Sequence, residues 1–134
     1  MINLDVYKLS IVDPNYFFSP DEADEFPTEE RCHILELANN HQDKPMSIAR
    51  ARVEPGVTTA WHRLEGTTEY YYILEGSGLM YIDEEEPFEA GRGGVVSIPE
   101  GVAQRIKNID PEKDLVFLAI CTPAFTDRIY ESLE

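Results

Sequence analysis

Short strand-like segments, each followed by turn residues, recur along this 134-residue chain. Tyr, Val and Ile are frequent in them, and Gly, Pro, Asn and Asp separate them. Regular spacing of this kind is typical of a β-sandwich or barrel and not of alternating strands and helices. The sequence therefore predicts an all-β fold with eight candidate strands, at residues 31–37, 46–53, 58–64, 69–74, 79–83, 94–98, 102–109 and 115–121.

Two terminal segments fall outside this pattern and flank a barrel predicted over residues 31–122. Residues 1–30 mix short apolar pieces with an acidic stretch, and we expect an arm that packs on the barrel or swaps across it. Residues 123–134 have apolar side chains at positions i, i+4, i+5 and i+8, a spacing that predicts a short helix capping the barrel. These side chains are Phe125, Ile129, Tyr130 and Leu133.

The charge balance excludes several classes of partner. Acidic residues outnumber basic ones by 26 to 11, which gives a formal net charge of −15. Such a chain lacks the excess of cations that binds nucleic acid phosphates or anionic membrane surfaces. No leader of basic and then apolar residues is recognisable, and no apolar run approaches the ~18 residues of a membrane span. We expect a cytoplasmic protein in which Cys32 and Cys121 are free thiols.

The segment GVTTAWHRLEGTTEYYYILEG, residues 56–76, contains the most specific chemistry. Taken as a hairpin that turns at residues 65–68, it directs His62 and Glu69 into the same space. An imidazole and a carboxylate from neighbouring strands suit a divalent transition metal such as Fe, Mn, Ni or Zn. The carboxamide oxygen of Gln104, on the strand at 102–109, is a candidate third ligand, though a weak and neutral one.

Strand alternation also indicates which side chains contact a substrate. Tyr71 shares the face of Glu69, and Leu64 shares the face of His62, so both are expected to line the pocket. Arg50 has two alternative placements. If it faces inward it can clamp a carboxylate or phosphate with forked hydrogen bonds. The usual apolar-in phase instead turns it outward, toward an acid at an interface, and leaves room for a ligand beside small inward side chains.

The same residues resemble the two motifs of the cupin superfamily. The pattern G-x5-H-x-H-x4-E-x6-G is matched in spacing at Gly56, His62, Glu69 and Gly76. The pattern G-x5-P-x-G-x2-H-x3-N is matched at Gly93, Pro99, Gly101 and Asn108. Eight positions in register across residues 56–108 are a specific signal for the fold. The resemblance implies a double-stranded β-helix, or jelly-roll barrel, that forms a homodimer.

Two positions depart from the superfamily pattern. The resemblance implies a metal held by three histidines and one glutamate, but Leu64 and Gln104 stand where two of those histidines would be. Leu64 leaves a gap that a water or a substrate atom could fill, or else it marks a lost site. Cupins also include members without a metal, in which the same cavity holds a small organic ligand.

These observations predict a cupin that binds a divalent metal through His62, Glu69 and Gln104. We expect it to act on a small polar organic molecule by oxygenase, isomerase or lyase chemistry. The first alternative is a metal-free cupin that binds or senses a small molecule without catalysis. The second is a structural dimer with a vestigial site.

Overall fold

The computed structural model describes residues 16–39 and 45–134, and in this part of the chain strands form two antiparallel sheets. Residues 1–15 of the predicted N-terminal arm therefore lie outside the described residues. No helix among the described residues is long and apolar enough to cross a membrane. The strands in chain order are β1 (Phe26–Pro27), β2 (His33–Ala38), β3 (Ser47–Val53), β4 (His62–Leu64), β5 (Thr68–Glu75), β6 (Ser77–Ile82), β7 (Phe88–Gly91), β8 (Val95–Ile98), β9 (Gln104–Asn108), β10 (Leu115–Thr122) and β11 (Tyr130–Ser132).

The order of strands in the sheets confirms the predicted all-β jelly-roll. One sheet has the order β1-β2-β3-β10-β5-β8, and the other has the order β11-β4-β9-β6-β7. Sequence neighbours are repeatedly separated in space, because the chain crosses between the sheets several times. The core lies between the sheets and includes Ile73 and Phe117 from the first and Met80 and Ile106 from the second.

Strand β5 shows how the sequence alternation builds this interior. Its residues 69, 71 and 73 are buried, whereas Tyr70 and Tyr72 between them are exposed. Successive side chains of a strand point to opposite faces of the sheet, so a period of two places every second residue in the barrel. The triple tyrosine is thereby split, with only Tyr71 facing inward.

The hairpin predicted between β4 and β5 is wrong. Strand β4 pairs with β9 and β11 in one sheet, whereas β5 pairs with β10 and β8 in the other. The turn at Gly66, which has a φ of +70°, carries the chain from one sheet to the other. Strand β5 pairs with β10 over seven residues, and such a long partner satisfies more backbone donors and acceptors than the three-residue β4 could.

The C-terminal segment also differs from its prediction. Its helix is limited to a 3-10 turn at Asp127–Ile129, and the chain then forms β11. Strand β11 pairs antiparallel with β4 and covers the edge that β4 would otherwise expose. An open sheet edge leaves backbone N–H and C=O groups unpaired, and this pairing outweighs a weak helical periodicity.

Candidate functional site in the barrel interior

Two adjoining cavities lie inside the barrel. The larger, which we term the outer chamber, has a volume of about 340 Å³, and the smaller, the inner recess, has about 50 Å³. They adjoin each other, because both are lined by Glu30, Ile34, Glu69, Ala119, Phe125 and Tyr130. The barrel therefore contains a site large enough for a small organic molecule.

His62 on β4 is held in one orientation. Its Nδ1–H donates a hydrogen bond of 2.7 Å to the carbonyl oxygen of Ala60. The Tyr130 ring stacks on the imidazole, with 5.1 Å between the ring centroids. The side chain is only 5% exposed, and its Nε2 faces the inner recess, 3.6 Å from Glu30 Oε1. The bond to Ala60 therefore leaves the lone pair of Nε2 directed into the cavity.

Glu69 on β5 is a buried carboxyl with few partners. Its Oε1 accepts a hydrogen bond of 2.7 Å from Gln104 Nε2, and its Oε2 accepts a long one of 3.7 Å from the Cys121 thiol. Burial raises the pKa of Glu69 to about 7, although the Gln104 amide and the nearby His62 act in the opposite direction. Desolvation disfavours the charged form, so this carboxyl gains and loses a proton near neutral pH.

Gln104 on β9 connects Glu69 to Tyr71. The Tyr71 hydroxyl donates a hydrogen bond of 2.6 Å to Gln104 Oε1, and the amide nitrogen of the same side chain donates to Glu69. Burial raises the pKa of Tyr71 well above its usual value, so the hydroxyl remains a donor. We call this chain of hydrogen bonds the amide bridge. It crosses from one sheet to the other and fixes the Glu69 carboxyl in the cavity wall.

Glu30 is a site residue that the sequence reasoning missed. It lies before β2, and its backbone carbonyl accepts a hydrogen bond of 3.0 Å from the Ala60 amide. Its carboxylate is about three-quarters buried, and burial raises its pKa while His62 lowers it. The residue belongs to an acidic stretch with no strand periodicity. No sequence signal distinguished it from its acidic neighbours.

The structure brings most of the predicted site residues together. His62, Glu69 and Gln104 converge inside the barrel, and Leu64 and Tyr71 line the inner recess. The convergence of His62 and Glu69 was predicted, but it arises across the two sheets and not within a hairpin.

Arg50 adopts the outward one of its two predicted placements and does not line either cavity, so the alternative of direct contact with substrate is not the one observed. Its guanidinium forms bidentate hydrogen bonds with Glu22 and a further one with Glu25. Its neighbour Ala51 is buried in the core. Strand β3 thus adopts the apolar-in phase, which turns the arginine outward.

The three side chains predicted to hold a divalent metal do not fit one in this arrangement. The Gln104 amide turns its oxygen toward the Tyr71 hydroxyl, and it turns toward Glu69 its nitrogen, a donor that cannot coordinate a cation. Leu64, which stands where the superfamily pattern has a second histidine, has no atom that can coordinate a metal. Across residues 16–39 and 45–134, no three His, Cys, Asp or Glu side chains are grouped so as to hold a metal ion.

Comparison with known proteins gives a family match and two similar sequences. Residues 49–121 match the family model described as Cupin domain. An uncharacterized protein of Methanocaldococcus jannaschii is 34% identical over 116 residues, which are 85% of this chain and 91% of that protein. An oxalate-binding protein of Thermotoga maritima is 34% identical over 92 residues, which are 68% of this chain and 73% of that protein.

A solved structure with a similar fold is that of a variant of Streptomyces PAC13 with uridine. It superposes with a TM-score of 0.72 at 17% identity and covers 89% of this chain and 91% of its own. Pac13 is described as a nucleoside dehydratase. At this level of identity the similarity concerns the fold.

Proposed function

This chain belongs to the Cupin domain family, and on that premise we propose that it binds a small polar organic molecule in the barrel and transfers protons on it. His62 and Glu69 are the proton-carrying groups, and the chemistry is of isomerase or lyase type. The observation that carries this proposal is the orientation of His62, whose Nδ1 is bound to the backbone while Nε2 faces the cavity.

An imidazole held in this way is suited to act as a general base. With Nδ1–H donating to Ala60, the only basic atom of the ring is Nε2, and it can take a proton only from a group in the recess. Glu30, whose Oε1 lies 3.6 Å from Nε2, stabilises the positive charge that His62 then acquires.

Glu69 can serve as the second proton carrier. Its pKa of about 7 lets it exist in both protonation states under the same conditions. The amide bridge holds the carboxyl in place, so a bound molecule meets it in a fixed orientation. Two titratable groups on opposite walls of one cavity permit removal of a proton on one side of a ligand and delivery on the other.

The similarity to the oxalate-binding protein favours a second candidate, a site for a small dicarboxylate. The lining of the cavity opposes it. Among the described residues, neither Lys nor Arg lines the outer chamber or the inner recess. A dicarboxylate there would meet carboxylates and no cation, so this candidate requires a bound metal ion that the donor set does not fit.

Proton transfer can be tested before the substrate is known. We would incubate the protein in D₂O with nucleosides, sugars and amino alcohols and follow loss of C–H signals by NMR, with and without prior treatment with EDTA. The expected result is exchange into one class of compound that survives EDTA and is lost in His62→Gln. The control variant Glu112→Gln, which changes an exposed side chain away from the cavity, should retain the exchange.

Two results would contradict this proposal. Exchange that requires added Fe, Mn, Ni or Zn would establish a metal-dependent cupin and restore the ligand set predicted from sequence. Binding of a compound, with no exchange in the wild type, would instead identify a binding or sensing module.

A further inference from the structure

Resting on the proposed function, we propose that the cavity selects a small organic molecule that carries a protonated amine. The first observation is the charge of the lining. Carboxyl groups contribute to it from Glu29, Glu30, Glu69 and Asp127. Within the described part of the chain, neither Lys nor Arg contributes to the same lining. A cavity with walls of one sign concentrates ligands of the opposite sign.

The second observation is independent of the overall charge and concerns the contact between His62 and Glu30. With Nδ1 donating to the backbone, Nε2 presents a lone pair, and it faces a carboxylate oxygen at 3.6 Å. When His62 is neutral and Glu30 is ionised, both atoms are acceptors, and two acceptors at this distance form no hydrogen bond with each other. The imidazole is 95% buried, since its side chain is only 5% exposed, and buried acceptors are stable only when a donor reaches them. A group with several N–H donors supplies what both atoms lack.

A primary ammonium fits this site better than other donors. It carries three N–H groups and a positive charge, so it can donate to His62, Glu30 and Glu69 and offset the charge of the two carboxylates. Hydroxyl groups also donate, but they leave the desolvated carboxylates without a counter-charge. Phe26, Phe125 and Tyr130 line the outer chamber, and a cation that meets the face of an aromatic ring is attracted to it. They also provide apolar surface for the carbon skeleton that carries the amine.

The test compares compounds matched in size and different in charge. We would measure binding by calorimetry at pH 8 for 1,4-diaminobutane, 1,4-butanediol and succinate, and for ethanolamine beside choline. The diamine should bind more tightly than the diol, and succinate should not bind. Ethanolamine should bind more tightly than choline, because choline has the charge but no N–H donor. MgCl₂ and MnCl₂ are titrated in parallel, since an inorganic cation would also be drawn to the carboxylates.

Variants then locate the binding site. Glu30→Gln should weaken binding of the diamine at least roughly tenfold, the effect of losing one charge-assisted hydrogen bond. Asp127 is exposed at the rim of the outer chamber. Asp127→Asn should therefore leave folding intact and weaken binding of the diamine severalfold. Glu112→Gln removes the same charge away from the cavity and should leave the affinity unchanged.

The outcomes separate this inference from the proposed function. The inference is overturned if the diol, choline or the metal ions bind more tightly than the amines. It is also overturned if no amine binds. Equal weakening in all three variants also overturns it, because the effect would then come from net charge. Proton exchange into an uncharged compound in the NMR experiment would leave the proposed function standing while refuting the selection of amines.

Discussion

Replacing Glu69 with Gln should make the protein more stable above pH 7 and leave its stability nearly unchanged below pH 4.5. Glu69 is only 8% exposed, and burial raises its pKa from 4.5 to about 7. Between these two values the folded protein holds a proton that the unfolded chain has lost. Stability contributed by this group is therefore fully present below pH 4.5 and is lost as the pH rises to 7.

The magnitude follows from the size of that difference in pKa. Each tenfold difference in proton affinity between the two states corresponds to ~1.4 kcal/mol, so the ionised carboxylate destabilises the folded state by about 3 kcal/mol at pH 8. A glutamine at position 69 has no charge to desolvate, and its oxygen can still accept from Gln104. The Glu69→Gln protein should therefore gain ~2–3 kcal/mol in free energy of unfolding at pH 8.

Urea denaturation from pH 4.5 to pH 9, followed by the fluorescence of the single tryptophan, measures this gain. Glu112→Gln is the matched control, because it removes an exposed carboxylate and should show a small difference throughout this range. The reasoning is refuted if the gain from Glu69→Gln does not change with pH. It is also refuted if the variant is less stable than the wild type at pH 8, since an undescribed favourable partner would then hold the carboxylate in its charged form.

Three further substitutions test the structure at other points. Tyr71→Phe removes the 2.6 Å hydrogen bond to the buried Gln104 amide and should lower the free energy of unfolding by ~1–3 kcal/mol. Tyr72 is exposed, so Tyr72→Phe should have almost no effect. Equal effects of the two variants in urea denaturation would contradict the amide bridge. Gly78→Ala places a methyl group 2.6 Å from a core isoleucine and should cost ~1–3 kcal/mol in thermal unfolding. Gly91→Ala meets nothing closer than 3.8 Å and is its control, so an equal loss there would refute the packing argument. Glu25→Gln removes a carboxylate shared by two arginines and should cost ~1 kcal/mol at pH 7. Since the pKa of this carboxyl is lowered to about 2, that difference is present above pH 4.5 and should vanish as the pH falls through 2; a difference that persists in acid would contradict the ion pair.

Local sequence patterns predicted the all-β fold and eight of the eleven strands described, but not β1, β7 or β11. Alternation over β5 placed Glu69 and Tyr71 inside the barrel, and this placement is confirmed by their burial. Turn residues marked most of the strand boundaries, because glycine tolerates the positive φ that these turns adopt. The spacing of the two motifs then identified the jelly-roll.

Strand partners could not be predicted from local patterns. His62 and Glu69 were expected to meet through a hairpin, and they meet because two sheets face each other. A strand's inward face is set by its own alternation, whereas its neighbours depend on the whole topology. The prediction of a C-terminal helix failed for a related reason. Their apolar spacing also suits a turn followed by a strand, and the open edge of β4 decides between them.

The chemistry of the site depended on contacts that no motif encodes. A glutamine at position 104 was predicted to offer its oxygen to a metal, but Tyr71 is close enough to take that oxygen. Glu30 enters the site only because the loop before β2 packs against Ala60. Both contacts join residues distant in sequence, so only the folded arrangement reveals them.

The division of the site between two sheets has a consequence for the motions of the barrel. His62 belongs to the five-stranded sheet and Glu69 to the six-stranded one. A molecule that contacts both must be released before the sheets can separate or slide at this end. Its binding should therefore slow amide hydrogen exchange in β4 and β5 together, although these strands share no backbone pairing. Substitutions that alter the spacing of the sheets far from the cavity should change affinity for the same reason.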